Sequence, residues 1–373
     1  MNMDRVAVVA SAQTELRPNW SSAQHIDLIS AVVASVFKGT GLSIDDVDFV
    51  IDSGSDVLDG RSISNCGFLG AMGAHHKEES RVEEDGLWAA LYGTTKIAAG
   101  GAQVGLIIAY SKPSESDVNV FYSSQCEPFY QRPVGFDHRA ASGMQAQRYL
   151  AQHGRTSADL ARLAAKRWSD ASRHGRVQVA AVPNEADILT SANVAAPLRA
   201  LMMARPVDGA VAILLASEEV ARRTMRTPVW ITGMGMSTDR HSFAARKAGA
   251  LEACEVAARS AYGRAGWDKP TASIAEVSAS STVSELMVIE SLGLAAPGCG
   301  IDLLEGNGKI SVNLSGGALP ADPIMATGLV RLSEATRQLT CPEMYGLKSP
   351  SSAIVHGAGG VGMQAHCVLT LEI

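Results

Sequence analysis

VNLSGGALPADPIMATGLVRLSEATRQL, residues 312–339, is the stretch whose reading decides the fold. Ser311-Val312-Asn313 closes a short strand, and Ser315-Gly316-Gly317 permits a tight or positive-φ turn. A helix is expected over about 324–339. Pro320 and Pro323 flank Asp322, which is placed to cap that helix. Side chains and free backbone N–H groups meet there, a setting suited to an anion or a developing oxyanion.

Working outward, strands and helices alternate in two similar passes. The first has strands expected at 5–11, 46–52, 103–110 and 209–216, with helices at 25–38 and 85–99. On the first helix Ile26, Ile29, Val32, Val33 and Val36 line one side. Residues 56–80 read as a glycine-rich irregular loop, in which His75 and His76 belong to a solvated charged run. Residues 111–137 are polar and turn-rich, with Phe121, Tyr122, Phe129 and Tyr130 interspersed, and long loops of this kind are often functional. Helices follow at 142–153, 157–173 and 184–189.

The second pass has strands expected at 229–234, 273–278, 309–313, 353–356 and 364–371, with helices at 243–266, 282–293 and 324–339. The repetition suggests an internal duplication. Its boundary falls between Arg222 and Pro228, giving an N-terminal half at 1–224, with a loop region at about 111–200, and a C-terminal half at 225–373.

Composition narrows the class. The 373 residues are 46% apolar and 19% charged, a globular balance with enough chain for one or two large cores. A net charge of −6 leaves no basic footprint for nucleic acid. No apolar run is long enough to span a bilayer. Met1-Asn2-Met3-Asp4 has no signal-peptide layout. Cys66, Cys126, Cys254, Cys299, Cys341 and Cys367 are scattered without a C-x-x-C pair, so reduced thiols, no metal site and a cytoplasmic location are expected.

The opening stretch resembles the thiolase superfamily, in its lipid-transfer-protein-like and archaeal branch. That branch reads N-x-S-G-G, a spacer, G-H-P-x-G-A-T-G and a helix ending in Q-L. Asn313, Ser315, Gly316, Gly317, Pro323, Ala326, Thr327, Gly328, Gln338 and Leu339 match, while the family's catalytic His falls on Asp322. Residues 197–219, PLRALMMARPVDGAVAILLASEE, match a further family stretch. The resemblance implies an α/β thiolase fold, two duplicated βαβαβαββ halves in a five-layer α-β-α-β-α sandwich. It also implies a homodimer.

Members of the family build their site from four loops, and this chain departs from three of them. Where V-E-x-x-C carries the nucleophile at a helix start, the chain reads Arg81-Val82-Glu83-Glu84-Asp85-Gly86, with no cysteine between Cys66 and Cys126. Glu84 or Asp85 takes the slot, as general base or as plain helix cap. Where A-E-V-H-D-C-F is expected, Ala275-Glu276-Val277-Ser278-Ala279-Ser280-Ser281 stands, and Ser278 replaces a histidine that titrates near neutrality. Asp322 is the third departure. Buried, it would hold a proton and donate it, or act as base.

The fourth loop, His356-Gly357-Ala358-Gly359-Gly360-Val361-Gly362, matches H-N-x-G-G-x-G. It makes His356 a proton carrier and Gly359 and Gly360 backbone donors toward a thioester oxygen. Ser315, Gly316 and Gly317 match a family segment that lies against the pantetheine of coenzyme A. Lys112, Arg199 and Arg205 are weak candidates for its phosphates.

A cysteine-less branch of the superfamily, the steroid side-chain aldolases, cleaves β-hydroxyacyl-CoA by a retro-aldol reaction beside a small zinc-ribbon/OB-like partner protein. Those enzymes are similar in lacking the thiol but use tyrosines where Ser278 and Asp322 stand. Tyr345 is the tyrosine next upstream of the His356 loop and is taken as a substitute. Three readings follow. One is a carbon–carbon lyase on a bulky acyl-CoA such as a steroid side chain, with the coenzyme A thioester as substrate and no covalent cofactor. Another is a non-catalytic thiolase-like subunit of a hetero-oligomer. The third is an acyltransferase with an unusual nucleophile such as Cys66 or Cys126. The placement of His356 and the cysteines relative to one pocket separates them.

Overall fold

Runs rich in valine, isoleucine and alanine form strands buried along their length, and their order shows how the two passes are joined. The structure, a computed structural model, describes residues 5–60, 62–305 and 310–373. The first pass runs β1 (Val6–Gln13), α1 (His25–Val36), β2 (Phe49–Ser53), α2 (Asp56–Asp59), α3 (Leu69–Met72), β3 (Glu78–Val82), α4 (Gly86–Ala98) and β4 (Val104–Ser111). Between β4 and β7 come α5 (Val118–Ser124), α6 (His138–His153), α7 (Ser157–Ser172), α8 (Glu185–Thr190) and the small hairpin of β5 (Asn193–Ala195) and β6 (Leu198–Arg199). The strand β7 (Gly209–Ser217) and α9 (Glu218–Thr224) close that pass. The second pass runs β8 (Val229–Thr238), α10 (Glu252–Ala265), β9 (Ile274–Val277), α11 (Thr282–Ser291), β10 (Ser311–Val312), α12 (Thr327–Thr340), β11 (Ser352–Gly359) and β12 (Ala365–Glu372).

The ten-stranded sheet has the order β10-β9-β11-β12-β8-β1-β7-β4-β2-β3. Its two halves are topological equivalents. β1 pairs antiparallel with β7 and β7 with β4, while β4, β2 and β3 run parallel. β8, β12, β11, β9 and β10 repeat that sequence of pairings. β1 meets β8 antiparallel over Val6–Val8, which joins the halves. The duplicated α/β fold is therefore as expected.

Apolar side chains sort into layers by strand parity. Val6, Val8, Ile51, Ile107 and Ile213 face α4 and α12, and so do Ala353, Val355 and Leu369 from the other half. The opposite faces pack against α1 and α3 in the first half and against α10 and α11 in the second. The result is helices, half-sheet, a central helix pair, half-sheet and helices. Gly233 and Gly235 let α10 lie on β8, since a Cβ there would stand 2.1 Å from the Ala261 carbonyl oxygen and 2.0 Å from that of Ala257.

Several local expectations are corrected. The helix expected from 243 starts at Glu252, because Gly249 and Ala250 lie in a turn and only Phe243–Ala245 forms a separate 3-10 turn. On α1 the buried face is His25, Leu28, Ile29, Val32 and Val36, and Ile26 is exposed. The loop at 56–80 contains α2, α3 and the edge strand β3, and the segment at 111–137 contains α5. Residues 1–4 and Lys309, named in the expectations above, lie outside the described residues. Among the described residues no helix is long and apolar enough to cross a membrane.

Candidate active site

The central helices α4 and α12 start side by side, and one carboxylate serves both. Asp85 is the N-cap of α4 and accepts the Leu87 N–H at Oδ1, 2.9 Å. Its other oxygen accepts the Gly328 N–H of α12 at 2.8 Å. Gly328 is required for this approach, because a Cβ there would lie 2.0 Å from Asp85 Oδ1. The neighbouring loop is tied down by Met325, at φ 72°, whose carbonyl accepts the Gly86 N–H at 2.7 Å and the Ser53 hydroxyl at 3.2 Å. Asp322 thus does not cap the α12 backbone as the sequence suggested. That helix begins at Thr327, and Asp322 accepts the Thr327 hydroxyl instead.

Above these helix starts lies a narrow chamber of about 80 Å³, walled by Glu84, Asp85, Tyr122, Ser278, Asp322 and Gly359, among others. Each acidic group in it is held above its ordinary pKa. Burial pushes Asp85 up to about 7, aided by the charges of Glu84 and Asp322 and opposed by its two N–H partners. Burial likewise pushes Asp322 up to about 6, against the Thr327 hydroxyl and the charge of Arg331. Burial also raises Glu84. Glu84 fits because Gly359 leaves room, a Cβ there falling 2.0 Å from its Oε1. Ser278 adds a hydroxyl, 4% exposed, whose oxygen has no hydrogen-bond partner among the described residues. Among the described wall residues there is no Lys, Arg, His or Cys.

Glu84, Asp85, Ser278, Asp322, Gly359 and Gly360 therefore come together, as the sequence proposed for them. Other candidates stand elsewhere. His356 has the same strand parity as Ile354, which faces the outer helix layer, whereas Val355 faces the central one. Its ring is fully buried behind the chamber wall, with Nε2 2.9 Å from His366 Nδ1, and His366 Nε2 bonds the Met363 carbonyl at 3.0 Å. Burial holds His356 well below the usual imidazole range and pulls His366 down to about 4, so both are neutral near pH 7. His356 reaches the chamber through its backbone carbonyl, which accepts the Ser278 N–H at 3.1 Å. Cys254, on the buried face of α10, lies close enough to His356 and His366 for the three to be within ligand reach of one metal ion, and all three are buried in the core.

Tyr345 follows the far end of α12, roughly 20 Å along the helix from Asp322. Its hydroxyl donates to Glu334 at 2.7 Å, and its ring lies tilted against His174, centroids 4.4 Å apart. Ser315 donates to Glu276 Oε2 at 2.7 Å inside a buried network with Arg331 and Gln338. Gly316 packs against Ala171 and Gly317 against Asn313, so none of these three lines the chamber. Lys112 is paired with Glu115, and Arg205 donates to the carbonyls of Pro320 and Gln178. Every cysteine is a free thiol, with Cys66 exposed and Cys126 buried, and none is on the chamber wall.

Two larger hollows adjoin the chamber. One, about 460 Å³, shares Tyr122, Ser280 and Asp322 with it and also carries His138 and Arg139. The other, about 340 Å³, shares Glu84, Phe121, Gln125, Met325 and Gly360 and carries Glu83 and His241. Phe121, Tyr122 and Gln125 come from α5 and its C-cap. Sequence reasoning marked that segment only as a long polar loop with aromatics, a signal that locates the region without singling out a side chain.

Comparison with known proteins agrees with this architecture. Residues 235–372 match the family model described as thiolase C-terminal domain-like. The benzoylsuccinyl-CoA thiolase subunit BbsB of Thauera aromatica is 28% identical over 226 residues, 58% of this chain and 59% of that protein. An acetyl-CoA acetyltransferase of Methanothermobacter thermautotrophicus is 27% identical, over 59% of each chain. The chain thus spans just under two thirds of the length of both relatives. A second acetyl-CoA acetyltransferase, from Methanocaldococcus jannaschii, is 24% identical over 90% of each chain. Among solved structures, an Ltp2-ChsH2(DUF35) aldolase superposes over 100% of this chain and 98% of its own at TM-score 0.83 and 20% identity. Human mitochondrial 3-ketoacyl-CoA thiolase does so over 100% and 99%, at TM-score 0.74 and 14% identity. The chain thus has the thiolase fold, and its residues 235–372 match the thiolase C-terminal domain-like family model.

Proposed function

We propose that this protein cleaves the Cα–Cβ bond of a β-hydroxyacyl-CoA by retro-aldol chemistry, using carboxylates in place of a cysteine nucleophile. The observation that carries this reading is the chamber itself. At the paired starts of α4 and α12 stand carboxyl groups with raised pKa values, and no thiol faces them. A carboxylate there serves proton transfer and not thioester exchange. Asp322 takes the proton of the β-hydroxyl. The Cα–Cβ bond breaks, its electron pair passes into the thioester as an enolate, and a ketone or aldehyde forms at Cβ. The proton then returns to Cα, giving a shortened acyl-CoA. No oxidant, water or free coenzyme A is consumed.

In this reading the coenzyme A arm enters through the hollow that carries Arg139, and the carbonyl fragment leaves toward the hollow beside Glu83. The similar solved structure is an aldolase, which supports carbon–carbon cleavage, and we take a bulky acyl group such as a steroid side chain as the substrate class. That aldolase joins two components, and the Thauera protein is a subunit, which supports a partner protein for this chain. We take 1–224 and 225–373 as the two halves. We also take the edge strand β3, which among the described strands pairs with β2 alone, as the seam of a homodimer. Light scattering, with and without co-purified protein, checks both assemblies.

Incubation with β-hydroxyacyl-CoA thioesters, read by mass spectrometry, should give a carbonyl compound and a shortened acyl-CoA without added coenzyme A. Asp322→Asn should lower kcat about 100-fold or more. Because the base must be ionised, kcat/KM should fall as pH drops below about 6. The word subunit in the Thauera relative's name also favours a second reading, a non-catalytic component. Absence of turnover with any thioester, alone and with the partner, would leave that reading standing.

A further inference from the structure

We propose that Tyr122 is a catalytic residue that donates the hydrogen bond holding the thioester oxygen as the enolate forms, with His138 as the positioning residue that fixes its ring. The inference rests on the retro-aldol reading and adds a side-chain oxyanion donor beside the base.

The argument begins with charge. An enolate forming beside Glu84, Asp85 and Asp322 needs a partner for its oxygen, and no cation faces it among the described wall residues. The donor must therefore be a neutral N–H or O–H group. Position comes next. In a β-hydroxyacyl thioester the carbonyl carbon and the β-carbon are separated by a single carbon, so the base and the oxyanion donor must stand on the same stretch of wall. Asp322, the base, lies at the junction between the chamber and the hollow that carries Arg139. Only Tyr122 and Ser280 share that junction with it among the described residues. Ser280 is engaged, with its hydroxyl 3.3 Å from Ser284 Oγ. The phenol oxygen of Tyr122 makes no hydrogen bond to any described residue, although its ring is held firmly. His138 stacks on one side, with centroids 4.0 Å apart and 27° between planes, and Phe121 packs edge-on at 5.0 Å.

Protonation is consistent with a donor. Burial, with the charge of Asp322, raises the Tyr122 pKa, so the phenol keeps its proton at neutral pH. Burial lowers His138 to about 4, against Asp137 and with Arg139, so the stacked ring is neutral. A phenol free of protein partners, clamped by aromatic rings beside the base, is pre-organised for a charge that appears only during reaction.

The test reads enolate formation separately from cleavage. Exchange of the α-protons of a saturated acyl-CoA in D2O, followed by NMR, needs the oxyanion donor but no β-hydroxyl. Wild-type protein should exchange them, and Tyr122→Phe should slow exchange about 100-fold at unchanged KM and unchanged circular dichroism. His138→Ala should lower kcat without moving KM, and His138→Phe, which restores a stacked ring, should recover most of the loss. A merely structural role would shift melting and KM together. Exchange at the wild-type rate in Tyr122→Phe overturns the assignment, as does a wild-type protein that exchanges no α-proton. Exchange without cleavage of any β-hydroxyacyl-CoA, lost in Tyr122→Phe, upholds the donor and overturns the retro-aldol reading alone.

Discussion

Two backbone amides converge on Asp85, and its charge is expensive wherever it is not needed. A carboxyl raised to about 7 in the folded chain ionises near 3.9 once unfolded. The folded state therefore holds the proton more tightly. The stabilisation this gives is fully present below about pH 4 and is lost as pH rises through about 7, a change of a few kcal/mol. Asp85→Asn removes the titration and leaves a single acceptor oxygen for two N–H groups. Denaturant unfolding should find it less stable than wild type at pH 5 by about 1–3 kcal/mol. By pH 8.5 the gap should close or reverse. A gap that stays constant between the two pH values would show that burial does not raise this carboxyl. The same scale explains what the sequence showed and what it hid. Motif frames placed Glu84, Asp85, Ser278 and Asp322 at the ends of elements that converge, because such frames fix loops. They are silent on which side of a strand a ring projects, and one step of parity along β11 carries His356 into the layer beneath α10.

At the scale of elements, close approach of helix starts and loops is set by glycines whose replacement has unequal cost. Gly328→Ala would thrust a methyl group 2.0 Å from Asp85 Oδ1 and 2.8 Å from Leu87 Cβ, at a carboxylate fixed by two amides. It should cost about 3 kcal/mol in chemical unfolding and abolish turnover. Gly359→Ala meets Glu84 at a similar distance, but this carboxylate is less enclosed and ends a flexible chain that can swing aside. Its cost should stay within about 1 kcal/mol. Equal losses in the two variants would contradict the tethering of Asp85. Element type was legible wherever apolar periodicity was sustained, as in β4, β7 and α4. It failed where composition stayed helical across a turn, so α10 was expected nine residues before its start at Glu252. The edge strand β3 escaped because its pairing with β2, not local preference, creates it, and α2 and α3 escaped because four residues are too few to show a helical period.

For the whole molecule, the duplication does not make two independent bodies. α4 from one half and α12 from the other sit in one core that draws on strands of both. A chain comprising only 225–373 would expose the faces of α12 and β11 that α4 and β1 now cover. It should lack near-UV circular dichroism and disperse poorly in NMR, whereas co-expression with 1–224 should restore both. A fragment that folds alone would refute a shared core. One consequence of the double amide grip on Asp85 concerns how the repeat holds together. Its two oxygens each satisfy an amide from a different half, so a single side chain rivets the halves at their centre. A cysteine there would offer one sulfur, a weak acceptor, to both amides. Asp85→Cys would therefore loosen the rivet, whatever chemistry a thiol brought with it.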